Sequence, residues 1–70
     1  MIAHATAATD NGIGHWLVTL DNGQSWKMTE SVPSFAPPRP GDEVRIRKGA
    51  LGGYLMDVNH QAGVRVDRVE

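Results

Sequence analysis

The chain has no cysteine. That excludes disulfides, a thiolate zinc site and a cysteine nucleophile. It also lacks an excess of charge. Seven Lys and Arg stand against eight Asp and Glu, for a formal net charge of −1. A general electrostatic grip on nucleic acid is therefore not expected. No stretch approaches the roughly 20 apolar residues of a membrane helix, so no membrane insertion is expected. Met1-Ile2-Ala3-His4-Ala5-Thr6-Ala7 has neither a basic leader nor a long apolar core. A full-length product would be expected in the cytoplasm. A mature or excised domain would be expected in the envelope or secreted.

Chain length is short as well. Seventy residues make one small domain, which buries only about 60% of its unfolded surface. Such a core rarely contributes more than about 3–5 kcal/mol net. Strand pairing, a compact core or a partner subunit must supply stability. The 40% hydrophobic content suits a globular chain and is too apolar for a disordered one.

What the chain does have is two tryptophans close together, in Trp16-Leu17-Val18-Thr19-Leu20-Asp21-Asn22-Gly23-Gln24-Ser25-Trp26-Lys27-Met28. The Asn-Gly pair marks a hairpin. A two-residue loop would mix apolar and polar groups on both faces. A three-residue loop, Asp21-Asn22-Gly23 with Gly23 at positive φ, pairs Leu20 with Gln24, Val18 with Trp26 and Trp16 with Met28. One face then becomes almost wholly apolar. A one-residue slip reverses every side chain, so the buried face selects the three-residue loop. Both tryptophans are expected to point inward as core.

Before the hairpin, residues 2–9 read as a strand with Ala3, Ala5 and Ala7 on one face. Asp10-Asn11-Gly12 is a turn signal. The hairpin strands are expected at about 15–20 and 24–29. Residues 30–42 hold all four prolines, which rule out a helix or a central strand. This is expected to be an ordered loop or arm over the barrel, anchored by Phe35. Pro37-Pro38-Arg39-Pro40 reads as a stiff loop and also matches a Pro-x-x-Pro ligand pattern. Glu43-Val44-Arg45-Ile46-Arg47-Lys48 alternates with period two. A glycine-rich connection, Gly49 to Gly53, leads to a fifth strand at 54–58 with Tyr54, Met56 and Val58 on one face. Asn59 to Gly63 form a loop. The last strand starts at Val64, with Val64 and Val66 inward, and Val69 breaks its alternation.

Five to six short strands with turn signals between them, and no convincing helix, predict an all-β single domain over residues 1–70. The expected architecture is a small Src-homology-3-like antiparallel barrel carrying the proline-rich arm 30–42. An oligonucleotide/oligosaccharide-binding fold would place a helix where the arm lies.

Four segments carry a resemblance. Leu20-Asp21-Asn22-Gly23-Gln24-Ser25-Trp26 is followed by Gly41-Asp42-x-Val44-x-Ile46, Lys48-Gly49-Ala50-Leu51-Gly52-Gly53-Tyr54 and Val64-x-Val66-x-Arg68-Val69. Over about residues 15–70 the chain resembles a group of small, uncharacterised bacterial β-barrel domains. The resemblance implies a bacterial barrel and brings no activity or catalytic residue with it. Members of that group often follow a leader peptide.

Candidate chemistry is sparse. His4, His15 and His60 show no ligand spacing for zinc and read as surface or loop residues. Asp10, Asp21 and Asp42 sit in turns, where their side chains accept bonds from nearby amides. No Gly-x-Ser-x-Gly elbow or phosphate-cradling loop is present. No catalytic residue, cofactor or metal is assigned, and an enzyme is not expected. Two surfaces are candidates. Arg45, Arg47, Lys48, Arg65 and Arg68 would form a nucleic-acid or anion surface if the fourth and last strands are neighbours; Glu43, Asp57, Asp67 and Glu70 interrupt it. Leu17, Leu55 and Phe35 would form an interaction surface if they share an outer face. The expected function is a non-catalytic protein-interaction or structural module, with an unknown protein or a second copy of the chain as partner. The alternative is a nucleic-acid-binding barrel.

Overall fold

In the computed structural model, which describes residues 1–10, 12, 14–32, 35–50, 52–59, 61 and 63–69, the tryptophan hairpin takes the three-residue loop. Strands β2 (Trp16–Leu20) and β3 (Ser25–Met28) pair Leu17 with Lys27, Val18 with Trp26 and Thr19 with Ser25. Gly23 has φ +86°, its amide donates to Leu20 O at 3.1 Å, and the Leu20 amide donates to Gln24 O at 2.8 Å. Asn22 Oδ1 closes the turn by accepting from the Gln24 amide at 3.0 Å. Val18, Leu20, Trp26 and Met28 are buried. The apolar face does select the register.

Strand β1 (Ile2–Asp10) corrects one expectation. Its pairing with β2 shifts between Ala5 and Ala7. A bulge adds one residue to a strand and reverses the facing of the residues beyond it. Ala3 and Ala5 are buried, Ala7 is exposed, and Ala8 packs against the core instead. At the bulge, the Thr6 hydroxyl donates to Thr19 O at 3.2 Å.

Strands β4 (Glu43–Lys48), β5 (Tyr54–Val58) and β6 (Val64–Arg68) form a second meander. Val44, Ile46, Met56, Val58, Val64 and Val66 are buried between the outward side chains of alternate positions. The two meanders join edge to edge: β3 pairs with β6 and β1 with β4, both antiparallel. The sheet is a closed six-stranded barrel in the order β1-β2-β3-β6-β5-β4. The described residues contain no helix. The architecture is all-β and consistent with a small Src-homology-3-like barrel. Closure pairs every strand on both sides and so protects against edge-to-edge aggregation.

The proline-rich arm has no regular structure among its described residues. Val32 and Phe35 pack against the core, and the Phe35 amide donates to Val32 O at 3.0 Å. Phe35 anchors the arm, as its isolation among prolines suggests. The antiparallel order fixes two barrel ends. One carries the loops at 21–24 and 49–53. The other carries the 10–16 connection, the arm and the 59–63 loop.

Candidate functional site

At the arm end, the barrel opens into a groove of about 670 Å³. Ala8 and Trp16 lie on its barrel side, Pro37 and Pro38 on the arm, and Asn59 and Gln61 on the β5–β6 loop. Trp16 departs from the expectation for both tryptophans. Trp26 is 4% exposed, whereas Trp16 is half-buried. Trp16 has inward parity but is the first residue of its strand. Its ring therefore spans the core and the open mouth.

Side-chain bonds hold the groove walls. Gln61 clamps the backbone of Ala36: its Nε2 donates to Ala36 O at 3.1 Å, and its Oε1 accepts from the Ala36 amide at 3.2 Å. Asp42 Oδ2 accepts from the Arg39 amide at 2.8 Å and from Asn59 Nδ2 at 3.0 Å. These bonds, the Arg39 amide first and the Asn59 side chain second, hold the Asp42 carboxyl below its ordinary pKa. Asn59 stands at φ +48°, a left-handed conformation that asparagine tolerates better than most residues. A groove with an indole, pyrrolidine rings and fixed amides suits an extended polypeptide. Gln61 and Asn59 gave no signal in the sequence, because loop amides are common. The position of Trp16 at the start of β2 is the one sequence signal for its partial exposure.

The basic residues divide into two groups. Arg45, Arg47 and Arg65 lie on the outer wall, with β5 between β4 and β6. Arg45 faces Asp57 across the strands, Arg47 faces Leu55, and Leu55 faces Arg65. Asp57 sits inside this patch. Its Oδ2 accepts from Arg47 Nε at 2.9 Å and its Oδ1 from Arg47 Nη2 at 3.3 Å. That fork raises the Arg47 pKa further. Gly63 makes room for the pair, since a Cβ there would lie 2.8 Å from both Arg47 Nη2 and Asp57 Oδ1. The outer wall is thus mixed in charge. Lys48 and Arg68 have the parity of Ile46 and Val66 and stand at the other mouth, beside Trp26 and Tyr54.

Leu17, Leu55 and Phe35 are not brought together. Leu17 is on β2 and Leu55 on β5, three steps apart around a ring of six, so they face opposite ways. Phe35 is committed to the core. Asp10 Oδ1 accepts from the Gly12 and Gly14 amides at 2.8 and 3.1 Å. Asp21 instead accepts from a different strand, the His4 amide, at 3.2 Å. His4 Nδ1 lies 3.6 Å from Asp21 Oδ2, both exposed, and His15 is half-buried. His60, Glu70 and Asn11 lie outside the described residues. Among the described residues no three His, Asp or Glu side chains gather as metal ligands. Comparison with family models, curated proteins and solved structures finds no match.

Proposed function

We propose that this barrel is a non-catalytic interaction module that holds an extended segment of a partner protein in the arm-end groove. The observation that carries this reading is Trp16, half-buried on the barrel side of a groove of about 670 Å³. That volume lies within the roughly 300–1,000 Å³ of ordinary ligand pockets. Pro37 and Pro38 are already rigid, so binding against them costs little backbone entropy. The resemblance to small bacterial barrels is compatible with such a role. The partner is a foreign protein or a second copy of the chain, and light scattering at rising concentration distinguishes the two.

Peptide-display selection on the intact barrel, followed by titration of the winning peptides, tests the reading. Trp16→Ala should weaken binding by about 2 kcal/mol or more, as for an aromatic anchor, while thermal unfolding stays cooperative. Selected peptides that bind a folded Trp16→Ala variant as tightly as the wild type would sink it.

A further inference from the structure

We propose that the opposite mouth is a second binding site, sized for one nucleotide of a single-stranded nucleic acid. This cavity, about 310 Å³, is lined in part by Trp26, Arg47, Lys48, Tyr54 and Arg68. Three of its described lining residues carry cationic side chains and none carries a carboxylate. Asp57 engages Arg47, so Lys48 is the cation on which the proposal chiefly depends. Parity explains the cluster except for Arg47, which belongs to the outer wall and also borders the cavity. Lys48 pairs with Tyr54, and Trp26 with Arg68, at the last inward positions of their strands.

Charge alone would suit any anion; the aromatic pair narrows the ligand. Tyr54 is 41% exposed, yet its orientation is fixed. It meets Trp26 in a T-shaped contact with ring centroids 5.2 Å apart and planes at 65°. Trp26 is in turn held by its Nε1, which donates to Gln24 Oε1 at 3.2 Å. An exposed, oriented ring beside ammonium and guanidinium groups stacks a base and meets its phosphate. The volume is at the lower bound of ligand pockets and admits one base. A duplex offers no free base face to Tyr54, and the outer wall cannot supply a continuous basic track because Asp57 interrupts it. The chain's formal charge of −1 implies weak, short-range binding with a shallow salt dependence.

The test is fluorescence anisotropy at low salt with three labelled probes: a short oligothymidylate, a duplex of the same length, and linear polyphosphate. The single strand should bind more tightly than the other two. Tyr54→Ala should weaken it about tenfold, Tyr54→Phe should leave it unchanged, and Lys48→Gln should lower the salt slope by about 0.7. Arg45→Gln, on the outer wall, should change nothing. Should Tyr54→Ala fail to fold, the wild-type NMR spectrum still decides: the single strand should shift the indole N–H signal of Trp26 and not that of Trp16. The proposal is overturned if the single strand does not bind. It is equally overturned if polyphosphate binds as tightly, if a folded Tyr54→Ala variant binds as before, or if the shifts fall on Trp16.

Discussion

Met56 is wholly enclosed, in the row of inward side chains between Ile46 on β4 and Val64 on β6. Truncating a buried methionine to alanine costs about 2–5 kcal/mol. A chain of this length rarely has more than about 3–5 kcal/mol in hand. Met56→Ala should therefore lose its cooperative thermal transition by circular dichroism, while Met56→Leu, which keeps the volume, should retain it. Gly23 is a milder case. A Cβ there would meet nothing within 4 Å, so the strain comes only from φ +86°. Gly23→Ala should cost about 1–2 kcal/mol, read as a lower urea midpoint with an unchanged slope. A wild-type midpoint would mean that the loop relaxes to another turn. At this scale the sequence reads well, because strict alternation tells inside from outside. It misleads at the β1 bulge and at strand ends, where an inward residue meets an open mouth. Trp16, Lys48 and Arg68 are all such residues. The same parity that places Ile46 in the core places Lys48 in the cavity.

The hairpin and the arm show what an element's sequence can and cannot specify. In β2–β3 the large apolar side chains are so placed that only one register buries them. In β1 the run of Ala and Thr offers no such contrast. The bulge that turns Ala7 out and Ala8 in therefore had no signature. The prolines excluded regular structure in the arm, but its docking depends on two side chains far away in sequence, Asn59 and Gln61. The Asp42–Asn59 link gives the arm a pH dependence. Asp42 is held below its ordinary pKa by bonds to its charged form. Its contribution is therefore complete above the unfolded carboxylate value of about 3.9 and disappears as pH falls through the lower folded value. Urea titrations of the wild type and Asp42→Asn should differ at neutral pH and converge in strong acid. A gap that persists undiminished in acid would mean that the carboxylate charge plays no part in holding the arm.

For the whole molecule, the barrel was readable from the sequence, but the partners that close it were not. Each meander follows from adjacent strands and short turns. The seams β3–β6 and β1–β4 join segments far apart in the chain, and no local pattern names the partners. The β1–β4 seam depends on small residues. Ala3 pairs with Val44, and Ala5, 2% exposed, brings its backbone against the arm's end. The Ala5 amide donates to Asp42 O at 2.9 Å, and Ala5 O accepts from the Gly41 amide at 2.8 Å. Met1 and Ile46 exchange two further bonds of 2.8 Å. Proline at position 5 would remove the donor to Asp42 and force a ring into a filled site. An unsatisfied carbonyl costs about 1–3 kcal/mol, and overpacking costs about 1–3 kcal/mol more. The sum rivals the whole stability of the domain. Opening the seam would also expose β1 and β4 as unpaired edges. Ala5→Pro should therefore both lose its thermal transition and self-associate beyond the wild type in light scattering. Ala5→Gly, which keeps the N–H, should stay closed and match the wild type in size. An Ala5→Pro variant with wild-type size and unfolding would show that the barrel does not depend on this seam, and that the two meanders cohere through β3–β6 and the shared core alone.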